Sequence, residues 1–295
     1  MRLRVRVPAT VANLGPGFDC FGLALALHND IEVETEAEPG IEVVGEGAGE
    51  IPLDASNLVS RSIEHVARAT GRKAPPCRLT CHNGIPVERG LGSSAAAVVV
   101  GLLGAERLLD ADLSSNDLLQ LGAELEGHAD NAAAALAGGA AIAHTRDGVW
   151  HAERIEPLAE LRPVALIPEV ERMGTADARL LLPRDVSRED ATFNAAHTAL
   201  LAIALTSRPE LLSVALEDRL HQDHRLELAP QARLLFRRLT EEGVPVCVAG
   251  SGPTLLAFET GERPAPEPGA EGWRVMRLDV DREGARVLEQ SELAG

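Results

Sequence analysis

The chain has 295 residues and only one lysine, Lys73. This excludes a Walker A loop, which needs Gly-Lys followed by Ser or Thr. It also excludes the strand lysine that protein kinases use. Lys73 lies between Gly71-Arg72 and Ala74-Pro75-Pro76, in what reads as a loop. If the chain binds ATP, it does so without a lysine clamp. Tyrosine is absent and aromatics make up 2% of the residues, while 45% are hydrophobic. The core must therefore be built from Leu, Val, Ile and Ala. The four cysteines, Cys20, Cys77, Cys81 and Cys247, form no C-x-x-C pair, and His82 alone does not complete a zinc set. They read as reduced thiols, which fits a cytoplasmic protein. The opening MRLRVRVPAT lacks the apolar stretch of a signal peptide. The apolar run Ala95–Gly104 is too short to span a bilayer.

Positive charge is scarce as well. The formal net charge is −17. Such a surface disfavours nucleic acid and anionic membrane as partners. An anionic substrate would have to be met by locally placed donors. The length allows one large domain or two smaller ones.

The most informative stretch is Gly84–Glu106, GIPVERGLGSSAAAVVVGLLGAE. A loop with Gly90-Leu91-Gly92 feeds into Ser93, Ser94 and a run of small apolar residues. Glycines let backbone approach a ligand, and a helix start offers free N–H groups and positive dipole character. Together they suit an anion, most often phosphate. Ser93 and Ser94 sit where hydroxyls cap a helix or reach a metal. A plain glycine loop capped by serine is the alternative, and the flanking sequence must decide.

Arg2–Val7 alternates Arg with Leu or Val, the pattern of a half-wet strand. A second glycine-rich loop, Gly15-Pro16-Gly17, carries Asn13 and Asp19. Its glycines and proline already supply the turn, which leaves both polar side chains without a turn-forming task. Leu25–Glu36 and Ile41–Glu46 read as strands joined in a hairpin at Glu38-Pro39-Gly40. Asn57–Thr70 has helical spacing and a Gly71 stop, and Arg78–His82 reads as a strand. Ser94–Leu109 reads as a buried helix. Ser114–Gly127 reads as an amphipathic helix opened by Ser114 and Asp117. It ends in Glu124-Leu-Glu126-Gly-His128-Ala-Asp130-Asn131, a polar cluster before an apolar run and so a candidate site. Gly138–His144 and Val149–Ile155 form a hairpin through Asp147-Gly148.

The boundary between residues 1–155 and 156–295 falls near Glu156–Arg162. Beyond it, Pro163–Pro168, Val246–Ala249 and Leu255–Glu259 read as strands. Gly174–Leu182, Asn194–Thr206, Glu210–Leu220 and Ala229–Glu242 read as helices. Gly250-Ser-Gly-Pro-Thr254 is a third glycine-rich turn. Gly261–Gly272 reads as a surface loop, with Arg274–Val280 and Ala285–Gln290 as a terminal strand pair. Strands and helices do not alternate regularly, so the fold class is α+β with helices on largely antiparallel sheets.

Three glycine-rich segments in this order, with EGHADN between the second and third, resemble the GHMP small-molecule kinases. Pro86-x-x-x-Gly90-Leu91-Gly92-Ser93-Ser94-Ala95-Ala96 is similar to that superfamily's phosphate loop, and GSGPT to its C-terminal motif. PATVANLGPGFDCFGLAL and EGHADNAAAALAGG resemble the versions found in the homoserine kinases, with Ala129 where many members carry proline. The resemblance runs from Pro8 to about Phe258. It implies an N-terminal domain like domain 2 of ribosomal protein S5 and a ferredoxin-like C-terminal domain. It implies phosphoryl transfer from ATP to the side-chain hydroxyl of L-homoserine, and a homodimer.

On this resemblance, the loop Pro86, Val87, Glu88, Arg89, Gly90, Leu91, Gly92, Ser93, Ser94, Ala95 and Ala96 would hold the phosphates. Asn57 would lie near the base, and Ser94 and Glu126 would hold Mg²⁺. Asn13, Asp19, His128, Asn131, Thr175, Arg179 and Arg225 would surround the acceptor. The chemistry agrees with these positions. Arginines grip a carboxylate, and Asp19 can meet an ammonium with a carbonyl of Asn13 or Asn131 alongside. Phosphoryl transfer through a loose transition state does not require a strong base, and no dedicated side-chain base is expected. Other acceptors of the superfamily, such as mevalonate and shikimate, have no ammonium to meet Asp19. A nucleotide-binding regulator that kept the fold could dispense with the Ser94/Glu126 pair. An RNA-associated module is disfavoured by the acidic charge.

Overall fold

The computed structural model describes residues 1–259 and 272–288. Strand β1 (Arg2–Ala12) pairs antiparallel with the long β2 (Phe21–Glu34). The Arg/apolar alternation has a simple outcome. Leu3, Val5 and Val7 face the core, while Arg2, Arg4 and Arg6 pair with Glu32, Glu34 and Asp30 of β2.

Next come β3 (Gly40–Gly45), α1 (Leu58–Ala69) and β4 (Arg78–Asn83). The expected β2–β3 hairpin does not form. β4 lies between them, antiparallel to β2 and parallel to β3. Pro39-Gly40 signals that the chain turns but does not select the neighbour. Parallel neighbours need a crossover, and α1 supplies it. α1 is capped by Asn57, whose side chain accepts the Val59 N–H. Gly71, at φ +65°, turns the chain away, and Lys73 follows on the exposed loop.

Helix α2 (Ser93–Leu109) is apolar on nearly every side and packs on α1. Gly101 makes that contact close: a Cβ there would lie 2.5 Å from Ser62 Cβ. α3 (Ser115–Glu126) opens with the expected Ser114/Asp117 capping box and stops at Gly127. A further helix, α4 (Asp130–Ala137), lies within the region expected to be only an apolar run. Strands β5 (Ala140–Arg146) and β6 (Val149–Ile155) form the hairpin, with Asp147 and Gly148 both at positive φ.

The second sheet is antiparallel, in the order β10-β7-β9-β8. Its strands are β7 (Arg162–Pro168), β8 (Val246–Val248), β9 (Leu255–Glu259) and β10 (Trp273–Arg277). Between β7 and β8 run α5 (Thr175–Leu180), α6 (Arg188–Thr206), α7 (Leu212–Ala215), α8 (Gln222–Leu226) and α9 (Pro230–Glu241). The expected helix Glu210–Leu220 is instead a 3₁₀ turn, Pro209–Leu211, followed by the short α7. Asp218 ends that run because its carboxylate accepts the N–H groups of Leu220, His221 and Gln222.

The last two strands do not pair with each other, contrary to expectation. β10 joins β7, and β11 (Arg286–Leu288) returns to the first sheet beside β1. Most of the loop expected at Gly261–Gly272, and the end of the strand expected at Ala285–Gln290, lie outside the described residues. The larger apolar cluster contains residues of both sheets, including Val5 and Phe258. Among the described residues no helix is long and apolar enough to cross a membrane. The architecture is α+β with one mixed and one antiparallel sheet.

Candidate active site

A cleft of about 610 Å³ runs along the glycine-rich loops. One end is walled by apolar side chains, among them Ile31, Val43, Ile51 and Pro52. The other end collects Asp19, His128, Asn131, Arg179 and Arg225. The loop from Pro86 to Ser94 lies along the wall with Asn13 and Asn57. Ala95 and Ala96 are not in the wall. They are fully buried beneath it.

Two glycines shape the loop. Gly90 and Gly92 have φ of +75° and +72°. A Cβ on Gly90 would stand 2.1 Å from Ala249 O, and one on Gly92 would stand 2.0 Å from Thr10 Oγ1. Gly92, rather than a serine hydroxyl, occupies the N-cap of α2. The Ala96 N–H already bonds Gly92 O. The first-turn N–H groups of Ser93, Ser94 and Ala95 have no acceptor within the helix. Arg89 turns away from this end: its guanidinium donates to Pro168 O and Glu169 O at the end of β7. Glu88 is exposed.

Ser94, in the first turn of α2, donates to Glu126 at the end of α3, with Oγ to Oε2 at 3.2 Å. Burial pushes the Glu126 carboxyl up, against the lowering effects of His128 and the Ser94 hydroxyl. Two hard oxygens at this spacing suit a Mg²⁺ ion, whose adjacent ligands about 2.1 Å from the metal lie about 3 Å apart. A cation would also relieve the buried carboxylate. Among the described residues no three His, Cys, Asp or Glu side chains converge as a protein-only metal cage. The fit is therefore to a Mg²⁺ that draws further ligands from water and phosphate.

At the polar end Asn13 has a structural task that the sequence did not reveal. It is buried at φ +71°. Its Oδ1 accepts the Asp19 N–H and its Nδ2 donates to Gly250 O, joining the first and third glycine-rich loops. Asp19 and Arg179 form a two-pronged ion pair at 2.6 and 3.0 Å. Asn131 Oδ1 accepts the Thr10 hydroxyl at 2.8 Å. The carbonyls expected to accompany Asp19 are thus already engaged. His128 Nδ1 lies 2.9 Å from Asp130 Oδ1. Burial draws the imidazole down, but the bond to Asp130 and the charges of Asp130 and Glu126 outweigh it, and the net shift is upward. Thr175 is the first residue of α5, one turn ahead of Arg179.

A family profile for the GHMP kinases N terminal domain matches residues 57–139. That span runs from the cap of α1 through the glycine loop to the end of α4. Homoserine kinase of Streptomyces avermitilis is 43% identical over 97% of this chain and 95% of its own. The same enzyme of Mycolicibacterium vanbaalenii is 46% identical, over 93% of this chain and 91% of its own. The chain belongs to the homoserine kinases. The crystal structure of homoserine kinase from Cytophaga hutchinsonii superposes with a TM-score of 0.83 at 26% identity, covering 97% of each chain.

For a homoserine kinase, the polar end also holds groups not singled out in the sequence. Phe18 lies under both arginines, 5.5 Å from the Arg225 guanidinium and 6.0 Å from that of Arg179. Thr10 positions Asn131 and packs on Gly92. Phe18 did have a signal, as one of only five phenylalanines and a direct neighbour of Asp19. Thr10 had none.

Proposed function

We propose that this protein transfers the γ-phosphoryl group of ATP to the side-chain hydroxyl of L-homoserine, giving ADP and O-phospho-L-homoserine for threonine biosynthesis. The observation that carries the reading is the charge pattern of the cleft. Its polar end pairs a carboxylate, Asp19, with Arg179 and holds a second arginine, Arg225, in the same cleft as Ser93 and Ser94 at the start of α2. That pattern complements a zwitterionic amino acid next to a phosphate chain. Asp19 and Arg179 satisfy each other in the cleft. Homoserine would exchange that pair for its ammonium on Asp19 and its carboxylate on Arg179 and Arg225.

The loop Pro86–Ser94 and the free N–H groups of Ser93, Ser94 and Ala95 would cradle the phosphates, and Asn57 would border the base. Ser94 and Glu126 would hold Mg²⁺, which would supply neutralisation of phosphate charge. Asn131 would turn its NH₂ group to the acceptor, since its oxygen serves Thr10. Asn13, Thr175 and His128 would complete the acceptor end. The homoserine hydroxyl oxygen attacks the γ-phosphorus while the bond to the bridging oxygen of ADP breaks, and the hydroxyl proton passes to an oxygen of the transferred phosphoryl group. A loose transition state does not require a strong base, which supports transfer without a dedicated side-chain base. A base titrating near neutrality in the rate profile, lost in Asp130→Asn or His128→Gln with binding intact, would contradict that.

Residues 1–155 are assigned to a domain like domain 2 of ribosomal protein S5. Residues 156–295 are assigned to a ferredoxin-like domain, with β11 handed back to the first sheet. A cytoplasmic homodimer is the proposed setting. The test is ADP release with Mg·ATP and L-homoserine, mevalonate, shikimate or galactose. Turnover with L-homoserine alone, lost in Glu126→Ala, is expected. Turnover with another alcohol instead would overturn the acceptor reading while keeping the kinase chemistry.

A further inference from the structure

Arg225 is held in an unusual way. Among the described residues no carboxylate lies within ion-pair distance of it. Its Nη1 donates to Gly250 O and faces His221 Nδ1 at 3.2 Å, while its Nε is buried without a partner. His221, one helical turn earlier, is itself buried. Its other ring nitrogen, Nε2, lies 2.7 Å from Gly15 O.

The chemistry of these partners fixes the proton. A carbonyl oxygen only accepts, so Nε2 must carry the hydrogen. Nδ1 is then a lone pair, and it accepts from Arg225. A second proton would set N–H against N–H and one buried cation beside another. Burial of the ring opposes that charge too. Asp218 lies 3.8 Å from Nε2, but its oxygens are occupied by the N–H groups of Leu220, His221 and Gln222 and by Asn194 Nδ2. Its charge favours a proton on the ring, but burial outweighs that effect, and its hydrogen bonds fix the turn. Gly15, at φ +70°, makes the approach possible: a Cβ there would stand 2.4 Å from Leu216 O. The other ring neighbour is Phe18, with centroids 5.4 Å apart, and Phe18 also faces both arginines.

We propose that His221 is a positioning residue for the acceptor: its Nδ1 lone pair holds the Arg225 fork in the orientation that receives the acceptor's carboxylate. This rests on the acceptor reading given above. His221 is buried and takes no part in the cleft wall. It acts by tying the Gly15 loop, α8 and the Gly250 turn into one frame around a single guanidinium, which costs less rotamer freedom when the ligand arrives.

Two substitutions separate this role from simple packing. His221→Phe keeps a ring beside Phe18 and loses both hydrogen bonds. His221→Asn keeps an acceptor near the Nδ1 position. In the ADP-release assay, His221→Phe is expected to raise KM for L-homoserine about tenfold, with KM for ATP within about twofold. His221→Asn should recover much of that loss. Equal rises in both KM values, or a lower kcat with an unchanged homoserine KM, would overturn the proposal. Imidazole ¹⁵N shifts of the intact protein give a second readout that needs no turnover. They should report the Nε2–H neutral tautomer, and Arg225→Met should move the Nδ1 signal. A proton found on Nδ1 sinks the idea even if the Phe variant fails to fold. Absence of wild-type turnover with homoserine would defeat the acceptor reading instead, and the ¹⁵N result would still decide the His221–Arg225 coupling.

Discussion

Glu126 is harder to ionise in the folded chain than in the unfolded one, because burial opposes its charge. A carboxyl raised in this way contributes stability that is full below its unfolded titration value and lost as pH rises through its folded value. The ionised form is therefore the costly one when no cation offsets it. Glu126→Gln should raise the melting temperature of the nucleotide-free protein by about 2 °C at pH 7.5. The gain should vanish toward pH 4, where wild type is also neutral there. The same variant should lose at least about a hundredfold in turnover. Scanning calorimetry across pH checks the first outcome and the coupled assay the second. A melting point that drops at neutral pH would mean that the Ser94 bond outweighs the buried charge. His128 shows what sequence could and could not give at this scale. Its place in EGHADN marked it as a candidate site residue, but only the fold reveals that its Nδ1 lies 2.9 Å from Asp130 Oδ1.

At the level of elements, local signals read well and partner choice did not. The cap of α1, the capping box of α3 and the Asp147-Gly148 turn all follow from residues within four positions of one another. The position of β4 between β2 and β3 depends on residues about 40 to 50 positions apart, as in Ile31↔Cys81 and Val43↔Cys81, and no turn signal encodes it. α4 was missed because it is eight residues long and follows α3 after a break of only three residues. The glycine loop and the helix start behind it were legible in the sequence, but the reason for each glycine was not. Gly92 is forced by Thr10, which lies more than 80 positions away in sequence. Gly92→Ala should cost roughly 2 kcal/mol or more in urea unfolding, from both the crowded Cβ and the positive φ. It should also weaken nucleotide binding measured by calorimetry. A neutral result would show that Thr10 can move aside, and would leave the shape of the loop unexplained.

Over the whole molecule, the chain end closes what its beginning opened. β11 covers the outer edge of β1, with Val5 opposite Val287. Val287 packs against the larger apolar cluster. Val287→Asp should therefore destabilise the first sheet by about 2 kcal/mol or more and leave the β1 edge open to pairing between molecules. Light scattering during a thermal ramp should show aggregation at a lower temperature than in wild type. An unchanged onset would mean that β11 adds little to the edge.

The solitary lysine has a practical consequence. Lys73 is exposed on the loop between α1 and β4 and takes no part in the cleft wall. It is the chain's only side-chain amine. An amine-reactive dye or surface tether would thus find one side-chain address, away from the glycine loop and the acceptor end, so a fluorophore could be installed for single-molecule work without an engineered cysteine.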